Sequence, residues 1–383
     1  MNYRSIIIVI ILSTILACSD TTSDKIITEE TAAVITNPEY GEWQTMEDPP
    51  VEFEVVQTFG ADQEPLEATL SHVTDVFTDD SLNVYILDHE SNKLVSFTPD
   101  GEFRWASGKK GKGPGDLENA RSMTWDGEEL IYIGNIYGSR IDRFNLQGTF
   151  LETLSVPENL ETSMFGNKIV GFMAGKLVLF SGLDAEFAGN FYITEPGDFL
   201  QLVNSYTINL TGDVKVPLGM HEFSLPSIYS DQIIIPDVKN YSFHIYEESF
   251  KNQNIVNREF DWIVRPGFYI DGEDRMMGTF SAVNKVLKFG SGYYISSAYW
   301  VKGIQDPDRL LSDYINGKIE GMEYQSTIDL FNEDWELLYS LEADRNINPD
   351  FGQPIHIDRE GNLYAYSFDP YPHLKKIKVI FEQ

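Results

Sequence analysis

A repeat within the chain limits the folds open to this sequence more than any other feature does. Five positions recur at a constant offset of 47 residues. The matched pairs are Tyr85 and Tyr132, Lys93 and Arg140, Phe97 and Phe144, Gly101 and Gly148, and Phe103 and Phe150. Because several coincidences at one offset indicate a repeated structural unit, the two segments should fold alike.

Each of these two units has the pattern of β-strands rather than of helices. Short runs of apolar and aromatic residues, such as 84–87 and 131–133, end at Asp, Asn, Gly or Pro. Asp100-Gly101 and Gln147-Gly148 stand where a tight hairpin needs a residue with positive φ. Each unit is therefore predicted to be a small antiparallel sheet.

Weaker copies of the unit continue to the C-terminus, over residues 176–194, 232–246, 292–338 and 355–380, with an insertion near 300–325. Six such sheets in series predict an all-β fold, a six-bladed β-propeller over residues 51–383. Because the last unit lacks a fourth strand, we expect residues 51–56 to close the ring as its outer strand, which protects sheet edges. A pair of β-sandwiches is the alternative fold.

The first residues have the layout of a secretory signal. Arg4 precedes an apolar run, and Ile15-Leu16-Ala17-Cys18 looks like a bacterial lipobox. Cys18 is the only cysteine, so an intrachain disulfide is excluded and lipid attachment explains its presence. We predict a lipoprotein signal peptide over residues 1–17 and lipidation of Cys18, with a short transmembrane anchor as the alternative. Residues 18–50, rich in Ser, Thr, Asp and Glu, are predicted to form a flexible acidic tether.

The charge balance restricts the partners. The chain has 28 basic and 60 acidic residues and a formal charge of −32. Such a surface repels phosphate backbones and anionic headgroups, so no nucleic-acid partner is expected. Membrane association is therefore expected to come from lipid on Cys18, in the cell envelope and at the outer membrane, with the protein otherwise a monomer.

The lipobox, the motif Gly111-Lys112-Gly113-Pro114-Gly115-Asp116-Leu117 and the two clearest blades carry a family resemblance. The chain resembles the six-bladed β-propeller lipoproteins of Bacteroidetes, which are related to the NHL and TolB-like propellers. The resemblance implies a fold and an envelope location. It implies no settled activity, and a fold alone does not fix one.

Candidate ligand-binding residues follow from propeller geometry. The connection between two blades lies on the same face as the loop between the second and third strands of a blade. Three lysines stand out in the connection at 108–115, although a purely structural turn is the simpler explanation for it. We predict a polar cleft lined by His89, Lys109, Lys110, Lys112, Arg121 and Tyr137.

A channel metal is the second hypothesis. Asp75, Asp88 and Asn135 offer the oxygen ligands that calcium prefers. Related six-bladed lactonases hold calcium in this way, but no Asp-x-Asp-x-Asp-Gly run occurs here. His72, His221 and His356 stand near the starts of inner strands, where chance placement is the simpler explanation.

The motifs favour binding over chemistry. Neither a His-Glu-x-x-His zinc motif nor a Gly-x-Ser-x-Gly nucleophile elbow occurs. We therefore expect a non-catalytic module, without a cofactor, that binds a small ligand, a glycan or an envelope protein. The alternatives are a lactonase- or lyase-like enzyme with a channel metal, and a surface polysaccharide-binding protein. The latter would use an aromatic platform made of Tyr293, Tyr294, Tyr299 and Trp300.

Overall fold

The structure is a computed structural model. It describes residues 25–27, 32–60, 65–135, 139–157, 160, 167–183, 188–197, 200–209, 226–229, 232–236, 241–247, 249–259, 267–271, 274–278, 282–283, 285–290, 292–302, 323–343, 351–368 and 370–382. These residues contain no α-helix and only two 3₁₀ turns, at Glu42–Thr45 and Leu66–Ala68. No helix in this part of the chain is long and apolar enough to cross a membrane.

The strands, numbered along the chain, form six small sheets in a ring, which confirms the predicted β-propeller. Blade 1 contains β4 (Val73–Thr78), β5 (Val84–Asp88), β6 (Lys93–Phe97) and β7 (Phe103–Ser107). Blade 2 contains β8 (Ser122–Trp125), β9 (Leu130–Asn135), β10 (Arg140–Asn145) and β11 (Phe150–Ser155). Blade 3 contains β12 (Lys168–Met173), β13 (Lys176–Leu183), β14 (Ala188–Pro196) and β15 (Leu200–Asn209), with β1 (Lys25–Ile27) parallel to β15.

The second half of the ring follows the same plan. Blade 4 contains β16 (Ser227–Ile228), β17 (Gln232–Pro236), β18 (Ser242–Glu247) and β19 (Asn252–Arg258), with β2 (Ala33–Asn37) added. A hairpin follows, made of β20 (Gly267–Asp271) and β21 (Asp274–Gly278). Blade 5 contains β22 (Ala282–Val283), β23 (Leu287–Phe289), β24 (Tyr293–Lys302), β25 (Glu323–Phe331) and β26 (Leu337–Ala343). Blade 6 contains β27 (Gln353–Ile357), β28 (Asn362–Ser367), β29 (His373–Phe381) and β3 (Val51–Phe59).

The first hairpin of three blades shows why the sequence repeats. The Asp79 carboxylate Oδ1 accepts the backbone N–H groups of Ser81 and Asn83, at 2.8 and 2.9 Å. Asp126 and Asp358 accept the N–H groups two and four residues further on in the same way. Because a short polar side chain that binds its own backbone fixes a tight turn, an aspartate stands at this position in blades 1, 2 and 6.

The ring closes through the N-terminal strand, as the sequence predicts. β3 pairs antiparallel with β29, with Phe59 opposite Leu374 and Val51 opposite Phe381. Phe59 is fully buried between blades, where its ring contacts Phe97 and Tyr364 at centroid distances of 5.7 and 6.1 Å. The first and last parts of the propeller therefore share one sheet.

Residues 32–50, the last part of the predicted tether, contact blades 4 and 5. β2 runs parallel to β19, and the Asn37 side chain reaches blade 5, where Nδ2 donates to the Trp335 carbonyl at 2.9 Å and Oδ1 accepts the Leu337 N–H at 2.7 Å. The Gln44 amide makes a similar pair of bonds with the backbone of Ser340, at 3.0 and 3.1 Å. A polar composition suggested mobility, but these two amides satisfy strand backbone and fix the segment.

A buried ion pair stands where this segment crosses from blade 4 to blade 5. The Arg258 guanidinium donates to Asp329 Oδ2 at 3.0 Å, and neither side chain is exposed. The Ser340 hydroxyl donates to Asp329 Oδ1 at 2.6 Å, and Arg258 Nε donates to the Glu39 carbonyl at 2.9 Å. Because buried charges need such additional hydrogen bonds to offset their desolvation, residue 39 belongs to the folded unit.

Side chains of the inner strands join neighbouring blades around the channel. The Asp75 carboxylate of β4 accepts the N–H of Met123 in β8, at 2.9 Å. Ser122 Oγ, 47 residues after Asp75, accepts the N–H of Ile169 in β12, also at 2.9 Å. These links hold the starts of three inner strands in register, and the candidate functional site lies beside them.

Candidate functional site

A cavity of about 400 Å³ opens on the face of the propeller where the inner strands begin. Its walls come from blades 1, 2, 3, 5 and 6, so it lies at the mouth of the central channel. The lining residues are His72, Val73, Thr74, Asp75, His89, Arg121, Lys168, Lys285, Gln353, Pro354, Ile355 and Tyr366. A concave site of this size, with polar groups converging from several elements, is typical of a small-ligand site.

Three cationic side chains lie in this cavity, each from a different blade. Arg121 immediately precedes β8, Lys168 opens β12, and Lys285 stands two residues before β23. Lys168 is 7% exposed. Among the described residues that line the cavity, Asp75 is the single carboxylate, so this part of the lining is positively charged in a chain whose formal charge is −32. Charges of one sign in a low-dielectric cleft concentrate their field on a ligand of the opposite sign.

Asp75 lies at the base of this charge cluster. Its two carboxylate oxygens accept the N–H groups of Val76 and Met123, at 3.0 and 2.9 Å. Burial raises the pKa of the Asp75 carboxyl, while the charges of Lys285 and Lys168 and the two N–H groups act to lower it. Asp75 therefore links blade 1 to blade 2 through its bond to Met123.

Two histidines and a tyrosine form one wall. The His89 Nδ1 atom lies 3.1 Å from the Ala120 carbonyl oxygen, and because that oxygen can only accept, Nδ1 carries a proton. The His72 ring stacks on Tyr366 with centroids 6.1 Å apart and meets the His89 ring edge-on at 6.0 Å. The Tyr366 hydroxyl donates to the Ser71 carbonyl at 2.9 Å, which fixes this wall to the loop before β4.

His356 lies on the inner strand of blade 6 and links it to blade 1. Its Nε2 is 3.0 Å from the Thr78 hydroxyl. Burial, together with the charge of Lys285, lowers the pKa of the His356 imidazole to about 3. The ring is therefore neutral at pH 7 and has a structural role. His72 reaches the cavity, and His221 lies outside the described residues.

Two of the six predicted ligand-binding residues, His89 and Arg121, line the cavity. The lysines of the 108–115 loop do not. Lys109 lies 3.7 Å from Asp116 and Lys112 lies 3.8 Å from Glu118, with lysine side chains 80% and 73% exposed. Lys110 is also exposed on this loop. Tyr137 lies outside the described residues.

The structure does not gather Asp75, Asp88 and Asn135 into a metal site. The Asp88 carboxylate accepts the N–H groups of Ser71 and His72, at 2.9 and 3.0 Å, and Asn135 Oδ1 accepts an N–H at 2.8 Å. Both side chains thus organise the loop that precedes an inner strand. Within the part of the chain that the structure describes, no group of three or more His, Cys, Asp or Glu residues is placed to hold a metal ion.

Tyr293 and Tyr294 do not take part in the predicted aromatic platform. Tyr293 stacks on Phe381 at 4.7 Å and Tyr294 on Trp335 at 3.9 Å, so both rings pack between or within blades. Neighbouring residues of a strand point to opposite faces, which separates these two rings. The side chains of Tyr299 and Trp300 lie outside the description.

Comparison with solved structures shows proteins of similar fold. A protein of Bacteroides fragilis NCTC 9343 that is predicted to be exported matches over 92% of this chain and 100% of its own, at 11% identity and a TM-score of 0.54. A member of the DUF4221 family from Bacteroides vulgatus ATCC 8482 matches over 87% and 99%, at 10% identity and a TM-score of 0.48. At 11% identity the likeness to the B. fragilis protein shows the fold alone.

Sequence comparisons add no relative. No protein-family model matches the chain. No curated protein matches it either. The propeller part of the family resemblance is thus confirmed by the structure, and the NHL and TolB-like assignment stays a prediction.

Proposed function

We propose that this chain is a lipid-anchored envelope protein whose propeller binds a small anionic ligand at the channel mouth without transforming it. One observation carries the proposal: Arg121, Lys168 and Lys285 arrive from three blades and line one cavity of about 400 Å³. The chain as a whole is strongly acidic, so its composition alone would not lead us to expect a cavity lined by three cations.

The physical advantage of this arrangement is preorganisation. The blades hold the three cations together before any ligand arrives, so binding need not gather them against their mutual repulsion. A charge-assisted hydrogen bond is about twice as strong as a neutral one, and the partly enclosed cavity reduces screening by water. The acidic outer surface would repel large polyanions, so a small anion that fits the cavity is favoured.

The envelope location rests on the lipobox ending at Cys18. It is supported by the predicted export of the similarly folded B. fragilis protein. Metabolic labelling of cells with an alkyne fatty acid tests it: the full chain should take up label, and the Cys18→Ala variant should not. Equal labelling of the two proteins would contradict the anchor.

Calorimetric titration of the mature chain in detergent tests the ligand class. Sulfate should bind with a stoichiometry near one, and its affinity should fall as sodium chloride is added, because the chloride screens the cations. Glucose, which is neutral, should bind far more weakly than sulfate. Absence of sulfate binding at low ionic strength would overturn the proposed function.

A further inference from the structure

An exposed aromatic side chain stands beside the cationic cavity. Phe368 follows β28 and is 58% exposed. Its ring lies 5.8 Å from the His72 ring and 4.5 Å from the Tyr366 ring, measured between centroids. Since His72 and Tyr366 both line the cavity, Phe368 packs against two rings of its aromatic wall.

The loop that carries Phe368 occupies the correct face for contact with a ligand. It joins β28 to β29, the second and third strands of blade 6, as the loop at residues 89–92 joins β5 to β6 in blade 1. Both loops therefore lie on the face where the cavity opens. A single exposed Phe is ordinary, but one that continues the wall of a charged cavity adds a ring-binding surface to an anion site.

The remaining lining is suited to hydroxyl groups. Thr74 supplies a hydroxyl and Gln353 an amide at the same cavity. A volume of about 400 Å³ accommodates a six-membered ring with an acidic substituent, and leaves room for a second ring. Cations for an acid, hydrogen-bonding groups for hydroxyls and an aromatic face for a ring together define one ligand class.

We infer that the ligand is an anionic saccharide. Its acidic group lies against Arg121, Lys168 and Lys285, and its ring lies along the face formed by His72, Tyr366 and Phe368. The inference rests on the proposed function and adds the requirement for a ring.

Three sugars test the inference in calorimetric titrations of the mature chain. Glucuronate has the acid and a ring, gluconate has the acid on an open chain, and glucose has the ring without the acid. Glucuronate should bind about fivefold more tightly than gluconate, which is the effect of one aromatic contact. It should also bind more tightly than glucose, which lacks the acid that the cations would bind. Saturation-transfer NMR should show the ring protons of glucuronate in contact with the protein.

The variant Phe368→Ala should remove most of the advantage of glucuronate and leave the affinities for gluconate and sulfate unchanged. Phe368→Leu, which keeps an apolar side chain, guards against an effect of misfolding and should also lose most of that advantage. Leu151→Ala, at an exposed apolar position on the outer strand of blade 2, is the matched control and should change nothing.

The outcomes separate the two proposals. If glucuronate and gluconate bind equally and Phe368→Ala alters neither, the saccharide inference is wrong, while binding of sulfate keeps the proposed function. If sulfate does not bind either, the proposed function is wrong as well.

Discussion

Two groups of basic side chains differ in what surrounds them. The loop lysines, Lys109, Lys110 and Lys112, are neighbours in sequence and are exposed, and two of them, Lys109 and Lys112, lie beside carboxylates of their own loop. The channel cations, Arg121, Lys168 and Lys285, are far apart in sequence and meet in one cavity. Exposed ion pairs contribute little, whereas cations in a shared cavity act together on a ligand. A cluster of charge in the sequence is therefore a poor guide to a binding site.

The largest expected effect comes from neutralising all three channel cations. The variant Arg121→Gln, Lys168→Met, Lys285→Met should bind sulfate about a thousandfold more weakly, because it loses three hydrogen bonds to a charged group. Calorimetric titration measures the affinity, and a thermal melt checks that the propeller remains folded. If the folded variant kept its sulfate affinity, the channel cations would contribute no more to binding than the loop lysines do.

The neutral state of His356 at the channel should also affect how the free energy of unfolding depends on pH. His356 has a lowered pKa of about 3, so the unfolded chain, in which the imidazole titrates near 6.5, binds the proton first as the pH falls. Stability from this group is complete above pH 6.5 and declines below it, by about 2 kcal/mol between pH 7 and pH 5. Urea melts should show a decline smaller by that amount in His356→Gln. An unchanged pH profile would mean that His356 is not held neutral.

Asp75→Asn should act in the opposite direction to the cation variants. Removing the one carboxylate of the lining should tighten sulfate binding by about fivefold at neutral pH. The same change should lower stability by about 1 to 2 kcal/mol, because an amide accepts only one of the two N–H groups well. Titration and urea melts on the same sample measure both. Weaker binding would show that Asp75 helps to hold the ligand.

The smallest effect is expected at the loop. Neutralising Lys109, Lys110 and Lys112 together to glutamine should change sulfate affinity by less than about twofold, because all three charges are solvated and Lys109 and Lys112 are already paired. Both triple variants remove three positive charges, so their sulfate affinities can be compared directly. A loss as large as that of the channel variant would show that net charge, rather than position, governs binding.

The fold could be predicted from the sequence because the residues that determine it are local and repeated. The 47-residue offset reflects hairpins that Asp79 and Asp126 fix in successive blades, and the unpaired last unit predicted closure by β3. The fixed segment at residues 32–50 was missed. Its order depends on Asn37 and Gln44 meeting the backbone of blade 5, about 300 residues away in the chain.

The candidate site could be predicted only in part from the sequence. His89 and Arg121 were found because they lie in the two clearest repeats, on loops of one face. Lys168 lies 47 residues after Arg121, which is the offset of the repeat, so its place at the channel could have been predicted from the sequence. Lys285 belongs to blade 5, where the repeat is weak, so its placement could not be aligned. A basic residue just before or at the start of an inner strand, as with Arg121, was the available signal. The sequence carried no such signal for Phe368, because only the three-dimensional structure shows that its ring lies beside His72 and Tyr366.

Anomalous diffraction from crystals soaked in selenate locates a bound anion directly and tests the central claim. The account predicts a selenium peak in the channel-mouth cavity, within hydrogen-bonding distance of Arg121, Lys168 and Lys285. A peak at the 108–115 loop with an empty cavity would contradict it.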